Sequence, residues 1–314
     1  MTDAASATTP AQLTARAAAS FARTPDDRLR FLLEELVRHL HGYVTETGLT
    51  VDEWAAAVDF LTRAGQTCTA HRQELILLSD TLGVSMLVDL LDHTGAPGTT
   101  ESTVLGPFYV PDAPERPLGS SIVEVAGPGR PARIAGRVLS SDGRPVAGAL
   151  LDVWQNAANG RYAVEDPDQP DTNLRGRFHT DSGGNFSFWT LRPTDYTVPD
   201  DGPVGALLRA AARHPWRPAH VHLIVSAPGY RTVTTHWFDD ESAYLDSDAV
   251  FGVKDSLICH FEPHPASQTG GASQTGGASQ TGGASGLDEP GAPIGAGGTW
   301  YSVERDVVLA PAGS

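Results

Sequence analysis

The N-terminal part of the chain carries its apolar residues at helical spacing. Thr24 is followed by a proline and two acidic residues, a combination typical of a helix start. Leucines and valines then recur three and four residues apart as far as Leu40. Thr50 with Glu53 forms the capping-box pattern of a second helix, which we expect to end at Gly65.

A third helical stretch is predicted from residue 74 to residue 91. Apart from Asp80 it is almost wholly apolar, and the segment 79–83 lies in its middle. The pattern alone therefore predicts a buried core helix with a cap or a kink at that segment.

From Ala132 onward the pattern changes to short apolar runs separated by Gly, Pro and Asp turns. We expect strands at 134–139, 149–154, 177–180, 186–191, 220–226, 231–238, 257–262 and 301–309. Ser141-Asp142-Gly143 predicts a hairpin turn between the first two. The predicted fold is mainly β with α: an antiparallel β-sandwich together with N-terminal helices.

The predicted organisation has three parts: a flexible N terminus (1–23), a helical region (24–103) and a β-sandwich domain (104–314). Within the last part, Ala-Ser-Gln-Thr-Gly-Gly runs three times from residue 266. Such a segment has too little apolar surface to offset its ordering entropy, so we expect a flexible low-complexity loop over 266–286. Because Trp300 begins another strand-like run, the loop is an insertion that should tolerate change.

Charge and composition exclude several classes of partner. The formal net charge of −16 over 314 residues argues against nucleic acid and anionic membranes, which are polyanions. Two cysteines are too few for a disulfide framework and suit a reducing compartment. With neither a signal-peptide pattern nor a run of ~20 apolar residues, the sequence predicts a cytoplasmic protein.

Histidines and tyrosines supply the candidate chemistry. His220 and His222 are two residues apart on a predicted strand, so their side chains share one face, as two ligands of one metal must. The alternative is a hydrogen-bonded histidine pair on a sheet surface. Tyr162 and Tyr196 lie in loops at strand ends. A phenolate is a hard anionic donor that suits Fe(III), although either tyrosine is also compatible with an ordinary core or surface position.

Five motifs in one order resemble the intradiol ring-cleavage dioxygenases. They are Leu-Gly-Pro-Phe-Tyr at 105–109, Asp-Val-Trp-Gln-Asn at 152–156, Gly-Arg-Tyr at 160–162, Gly-Arg-Phe at 176–178 and Arg-Pro-Ala-His-Val-His at 217–222. The resemblance extends over about residues 24–309. It implies that the helical region forms much of a homodimer interface and that the sandwich holds one Fe(III) per subunit. It also allows a lipid bound at that interface, which no local motif supports.

Transferred position by position, the resemblance makes Tyr162, Tyr196, His220 and His222 the iron ligands. It gives Arg217 the role of stabilising negative charge on the ring and makes Tyr196 a proton acceptor. The implied reaction opens an aromatic diol with O₂ between its two hydroxyl-bearing carbons. The substrate supplies the electrons, so no organic cofactor is expected.

Three further stretches, at 76–83, 235–240 and 244–254, look like the branch of that family that cleaves hydroxyquinol (benzene-1,2,4-triol). On that resemblance Asp80 becomes a pocket residue whose carboxylate accepts a hydrogen bond from the third hydroxyl. The product would be 3-hydroxy-cis,cis-muconate or its tautomer maleylacetate. The other expected substrate contacts are Leu77, Val104, Leu105, Gly106, Pro107, Phe108, Val198, Pro199, Arg217 and Val250.

Three alternatives remain open at this point. The first is a catechol or chlorocatechol 1,2-dioxygenase with the same iron chemistry. The second is a non-catalytic binding module of the transthyretin-like kind, which would need neither the tyrosines nor Arg217. The third is a structural zinc protein, which a set of two tyrosines and two histidines without cysteine fits poorly.

Overall fold

The computed structural model describes residues 8–69, 72–93, 97–125, 128–265 and 298–313. The chain divides into two compact units, Met1–Arg63 and Ala64–Ser314. The low-complexity loop predicted at 266–286 lies outside the described residues. Within the described ranges, no helix is both long enough and apolar enough to cross a bilayer.

Six α-helices occur in the described parts of the chain. They are α1 (Pro10–Ala19), α2 (Asp27–Thr47), α3 (Val51–Thr67), α4 (Glu74–Thr81), α5 (Val84–Asp92) and α6 (Pro203–Ala210). Helix α1 lies in the segment that we expected to be flexible. Its first turn has a capping box, in which Gln12 N donates to Thr9 Oγ1 (3.2 Å) and Thr9 N donates to Gln12 Oε1 (2.9 Å).

The predicted helix boundaries were partly wrong. Helix α2 starts two residues later than expected, because Asp26 rather than Thr24 is the N-cap and accepts from Leu29 N at 2.7 Å. The capping box of α3 is confirmed: Glu53 N donates to Thr50 Oγ1 (3.3 Å), and Thr50 N donates to Glu53 Oε2 (2.9 Å). The helix nevertheless continues past Gly65 to Thr67.

The predicted third helical stretch is divided at Gly83. This glycine has φ +75° and follows α4 directly before α5 begins. A Cβ at this position would be strained by the backbone and would lie 3.3 Å from the Phe251 ring. The break between α4 and α5 therefore lies at a residue that has no side chain.

Twelve β-strands occur in the described parts of the chain. They are β1 (Pro131–Ser140), β2 (Leu150–Trp154), β3 (Arg175–His179), β4 (Asn185–Leu191), β5 (Tyr196–Thr197), β6 (Trp216–Arg217), β7 (His220–Ser226), β8 (Val233–Asp239), β9 (Ile258–Cys259), β10 (Glu262–Pro265), β11 (Thr299–Glu304) and β12 (Val307–Leu309). One five-stranded sheet has the order β10-β11-β1-β12, with β4 also paired to β1. The second has the order β3-β2-β7-β8-β9, and β5 pairs with β6.

Two features of the sheets differ from the prediction. The turn at 141–143 does not form a hairpin between sheet neighbours, because β1 and β2 belong to different sheets, as do β3 and β4. Both sheets are also mixed rather than antiparallel, since β1 pairs in parallel with β11 and β12, and β8 with β9. The local turn chemistry is the same for a hairpin and for a connection between sheets, so the pattern could not separate them.

The core lies between the two five-stranded sheets. Phe178 of β3 stacks on Phe188 of β4 with ring centroids 5.1 Å apart, and Phe186 of β4 stacks on Trp237 of β8. Each contact joins one sheet to the other, and all four side chains are buried in one apolar cluster. The sandwich therefore encloses a buried apolar core to which both sheets contribute.

A substitution at Gly136 tests the close approach of β1 to Arg305, which connects β11 and β12 of the same sheet. A Cβ there would lie 1.9 Å from the carbonyl oxygen of Arg305, so Gly136→Ala should lower the free energy of unfolding by about 2–3 kcal/mol. Gly65→Ala in α3 meets nothing within 4 Å and should raise it by roughly 0.5–1 kcal/mol. Urea unfolding of both variants checks this, and equal midpoints for Gly136→Ala and the parent would contradict the close approach.

Candidate metal centre

The two histidines lie on β7, in the middle of its sheet. His220 begins the strand, and both side chains are about 1% exposed. Their Nε2 atoms are 3.1 Å apart. Trp154 of β2 and His236 of β8 are the register neighbours of His222 on either side. The flanking strands therefore surround the histidine pair with further aromatic rings.

A two-stranded ladder and a tight turn bring the tyrosines to the same place. Tyr196 of β5 is the direct register partner of Arg217 of β6. Tyr162 follows a turn at Gly160, which has φ +80° and passes so close to Tyr196 that an added Cβ would lie 3.6 Å from the tyrosine Cβ. The Tyr162 hydroxyl is 2.8 Å from His222 Nε2, and the two phenol rings meet edge to face at 5.3 Å.

The motif at 154–156 holds these loops in position. Gln155 Nε2 donates to the carbonyl of Leu191 (3.0 Å), and Asn156 Nδ2 donates to that of Thr194 (3.0 Å). Both acceptors precede Tyr196 by a few residues. Ala219 N, next to His220, donates to the carboxylate of Asp195 at 2.8 Å. Hydrogen bonds from fixed strand ends thus set the Tyr196 loop against the histidine strand.

Three of the four candidate ligand rings have a second ring stacked on one face. Phe108 stacks on Tyr162 at 4.5 Å, Trp154 on His222 at 4.5 Å and His236 on His220 at 4.4 Å, with interplanar angles of 20°, 13° and 23°. Parallel stacking restricts each ring to its own plane. The polar edges of the three rings are consequently held toward one another.

The electrostatics of the cluster are those of a dry pocket. Burial raises the pKa of Tyr162 well above its ordinary value, and Tyr196 raises it further. Burial also raises the pKa of Tyr196, although Arg217 opposes that shift. Burial lowers the pKa of His220 and of His222 well below the ordinary value, and Arg217 lowers both further. The protein alone therefore favours neutral phenols and neutral imidazoles here.

This donor set fits a metal ion. His220 Nδ1 lies 2.6 Å from the carbonyl oxygen of Pro218 and donates to it, which leaves the Nε2 lone pair directed at the cluster. A bound cation would compensate the desolvation of two phenol oxygens and favour their deprotonation. Two oxygen and two nitrogen donors, without a thiolate, suit iron better than zinc.

His236 was not among the candidates found in the sequence. It forms with His220 and His222 a group of three potential ligands whose donor atoms lie within 4.8 Å of one another. Neither of its ring nitrogens has a side-chain hydrogen-bond partner among the described residues. The signal was its position opposite His222 on the next strand, which only the sheet register reveals.

A cavity of about 520 Å³ lies beside Phe108. Of the expected substrate contacts, its walls include Leu77, Pro107, Phe108, Val198 and Pro199; the remaining walls are formed by Arg72, Gln73, Glu74, Gly160, Arg161, Val164, Glu165, Thr197, Asp200 and Asp201. The sequence did not single out the charged wall residues Arg72, Glu74, Glu165, Asp200 and Asp201. Burial raises the pKa of Glu165 to about 7.

The other expected substrate contacts lie outside those walls. Asp80, Val104 and Val250 are buried, whereas Leu105 is 43% exposed. A Cβ on Gly106 would lie 3.3 Å from His222 Cε1, so this glycine (φ +78°) permits the chain to pass close to the histidine. Arg217 lies within the cluster itself, where its Nη1 donates to the Tyr196 hydroxyl at 3.2 Å.

Comparison with known proteins gives two matching family models. One described as "Dioxygenase" matches residues 104–275, and one described as "Catechol dioxygenase N terminus" matches residues 26–100. The first of these matches alone covers more than half of the chain. The chain belongs to the intradiol ring-cleavage dioxygenase family.

Individual relatives agree with this assignment. A hydroxyquinol 1,2-dioxygenase of Rhizobium sp. (strain MTP-10005) is 52% identical over 238 residues, which are 76% of this chain and 80% of the relative. A catechol 1,2-dioxygenase of Candida albicans is 45% identical over 75% of this chain and 78% of its own length. The crystal structure of a hydroxyquinol 1,2-dioxygenase from Pseudomonas putida DLL-E4 matches with a TM-score of 0.81 and 44% identity, covering 96% of this chain and 98% of that one.

Membership of the intradiol dioxygenase family settles two of the open alternatives. The chain is a ring-cleavage enzyme and not a transthyretin-like binding module. The family uses iron, which removes the reason for a structural zinc site. An aromatic diol or triol and O₂ are the substrates of this class of enzyme.

Proposed function

We propose that this protein cleaves hydroxyquinol with O₂ at an Fe(III) centre, giving 3-hydroxy-cis,cis-muconate or its tautomer maleylacetate. The observation that carries the proposal is the convergence of Tyr162, Tyr196, His220 and His222 in a buried cluster, where neighbouring donor atoms are 2.8 and 3.1 Å apart. One Fe(III) per chain would be held by these four side chains. When bound, it makes the coordinated diol ring reactive toward O₂.

The protein groups around the ligands have separate tasks in this proposal. With iron bound, the Tyr196 side chain would be a phenolate whose oxygen takes up one of the two protons that the diol loses on binding, and a solvent-derived hydroxide would take up the other. Arg217, whose Nη1 is 3.2 Å from that oxygen, stabilises negative charge as it develops on the ring. The stacked rings and the apolar core exclude water, which strengthens this electrostatic contribution. Both oxygen atoms of O₂ enter the product, and the ring supplies the electrons.

Asp80 supports the assignment of a triol substrate. Its carboxyl group is 2% exposed, and burial raises its pKa, although a hydrogen bond from Ser85 and the charge of Arg217 oppose the shift. A buried carboxylate is stabilised by each donor that reaches it, and the third hydroxyl of hydroxyquinol is such a donor. Leu77, three residues before Asp80 on α4, is also buried and forms part of the cavity wall.

A catechol or chlorocatechol substrate is the second candidate. The 45% identity to a catechol 1,2-dioxygenase favours it, because the iron ligands would serve either substrate equally. Discrimination then depends on the pocket residues, above all on Asp80, for which catechol offers no third hydroxyl.

Oxygen uptake by the purified, iron-analysed enzyme tests the proposed function directly. We expect stoichiometric uptake with hydroxyquinol, after subtraction of an enzyme-free autoxidation blank, and much slower uptake with catechol. Preference for catechol would identify the second candidate as the correct one. No uptake with either diol by protein containing stoichiometric iron would refute both.

The Asp80 carboxylate should set the preference for the triol. Asp80→Ala is expected to lower kcat/KM for hydroxyquinol by about 10- to 100-fold, the value of one hydrogen bond to a charged group, and to change kcat/KM for catechol much less. Asp80→Asn retains an acceptor oxygen, so its kcat/KM for hydroxyquinol should lie between that of the parent and that of Asp80→Ala. Steady-state kinetics with both substrates measure this, and equal losses for hydroxyquinol and catechol would remove Asp80 from the recognition of the third hydroxyl.

The different roles proposed for His220 and Tyr196 can be separated by substitution. His220→Ala should lose iron, because it removes one of the four proposed ligands. Tyr196→Phe should retain part of the iron but lose most turnover, because it removes the proton acceptor. Metal analysis and single-turnover kinetics distinguish the two variants. A fully active Tyr196→Phe enzyme would contradict the role of Tyr196 as proton acceptor.

We also propose a homodimer through the N-terminal helices. Helix α2 has no buried residue, and its apolar side chains Leu29, Leu32, Leu36 and Leu40 are 46–54% exposed in the single chain. These positions recur at helical spacing, so they form a continuous apolar stripe that a second copy would cover. The same stripe offers the surface on which a lipid could bind at the interface.

Charge placed in the α2 stripe should therefore separate the subunits. The double variant Leu36→Asp/Leu40→Asp is expected to be a monomer at micromolar concentration, because the carboxylates would have to be buried in the interface. Glu46→Gln, at an exposed position of the same helix, serves as the matched control and should remain dimeric. Sedimentation equilibrium gives the masses, and a monomeric parent protein would refute the proposal.

A further inference from the structure

The guanidinium of Arg217 is divided between two groups of partners. Its Nε donates to Asp248 Oδ1 (3.0 Å) and its Nη2 to Asp248 Oδ2 (3.3 Å). Its Nη1 instead donates to the Tyr196 hydroxyl (3.2 Å) and lies 3.4 Å from His220 Nε2. Because the guanidinium is planar and its donors form a rigid fork, fixing one edge sets the direction of the other.

Asp248 is itself held by the turn that it begins. Val250 N donates to its Oδ1 (3.2 Å), and Gly252 N donates to its Oδ2 (2.8 Å). Thr103 Oγ1 donates to the carbonyl of Gly252 at 3.0 Å and anchors the far end of the turn. The carboxylate therefore accepts from four donors, two on Arg217 and two on the backbone of Val250 and Gly252. The side chains of Arg217 and Asp248 are each 2% exposed.

The turn passes close to the ion pair at Gly252. A Cβ on Gly252 would lie 3.0 Å from Arg217 Nη2 and 3.2 Å from Asp248 Oδ2. The preceding residue, Phe251, has φ +60°, a conformation that is strained for a bulky side chain. Strain of this kind persists where the surrounding structure over-determines the backbone, and it is commonly found at functional sites.

The pair also changes the charge next to the candidate ligands. An uncompensated guanidinium 3.4 Å from His220 Nε2 would repel a metal cation bound there. Burial lowers the pKa of Arg217, but Asp248 and Tyr196 more than offset this, so its pKa is above the ordinary value. Arg217 consequently remains charged, and the carboxylate of Asp248 balances that charge.

We infer that Asp248 is a positioning residue for the reaction. It directs Arg217 Nη1 at Tyr196 and His220, and it neutralises the guanidinium beside the cation-binding cluster. The inference rests on the proposed function, in which Arg217 acts on the bound diol. Nothing in the sequence motifs distinguished Asp248 from the acidic residues near it, of which Asp246 is exposed.

The substitution Asp248→Asn tests the inference, because it retains the shape of the side chain and removes its charge. We expect kcat per bound iron to fall about 100-fold, as for a misplaced catalytic group, with KM changed by less than about threefold. The tyrosinate-to-iron charge-transfer absorption of the substrate-free enzyme should also shift, because Tyr196 loses a fixed donor. Asp246→Asn is the matched control and should leave kcat and the spectrum unchanged. A parental kcat and spectrum for Asp248→Asn would overturn the inference.

A double-mutant cycle with Arg217→Lys shows whether Asp248 acts through Arg217. If it does, the double variant should be no less active than Arg217→Lys alone, within about twofold, since the positioned group is already lost. Losses that multiply would show that Asp248 acts independently of Arg217 and would refute the positioning role.

A second variant keeps the test valid if Asp248→Asn does not fold. Gly252→Ala pushes against both members of the pair without changing any charge, so it should lower kcat about tenfold and shift the same absorption band. A parental spectrum and kcat for Gly252→Ala would contradict the inference.

Failure of the proposed function would be recognised separately. The parent enzyme would then cleave neither diol, whereas the spectral comparison of Asp248→Asn with Arg217→Lys and with the double variant requires no substrate. Non-additive shifts of the absorption band would still support the coupling between Asp248 and Arg217, and additive shifts would refute it.

Discussion

Two phenols and two imidazoles are buried together in this protein with their polar edges facing one another. The shortest separations, 2.8 Å from the Tyr162 hydroxyl to His222 Nε2 and 3.1 Å between the Nε2 atoms of His220 and His222, are hydrogen-bond distances. Desolvation makes such a cluster costly unless a cation joins it. The surrounding strands, hydrogen bonds and stacked rings keep these four side chains in place despite the unfavourable desolvation.

The sandwich provides the rigid part of that support. His222 lies between β2 and β8, and His220 pairs with Phe238 of β8, so neighbouring strands fix the backbone of both histidines. Tyr162 comes from a loop and Tyr196 from the short strand β5. Gln155 and Asn156 donate to carbonyls that precede Tyr196, and Asp195 accepts from Ala219 N, so the Tyr196 segment is held to strand ends. Stacked rings then restrict the ligand side chains.

Three buried charged side chains lie around the cluster. Arg217 brings a positive charge to the ligands and Asp248 balances it from the far side of the guanidinium. Asp80, a third buried charged group, is under the electrostatic influence of both. Arg217 therefore brings a charge to the ligands that Asp248 balances, so the buried pair adds no net charge there.

The capping box at Thr50 and Glu53 could be predicted from the sequence because it depends on residues three apart. The side-by-side placement of His220 and His222 is equally local, since alternation along a strand decides it. The helix start at Asp26 and the continuation past Gly65 could not be fixed in this way. Several residues there satisfy the same local rule, and packing selects among them.

The sequence by itself determined the fold class, the family and the types of side chain available for chemistry, because these follow from patterns and motifs within short segments. Only the tertiary structure decided which sheet each strand joins, that His236 lies opposite His222, and that Asp248 rather than Asp246 meets Arg217. These contacts are made by residues that are far apart along the chain, or by one of several residues whose local sequence patterns are alike. Strand register and turn geometry bring them together, and no local spacing encodes either.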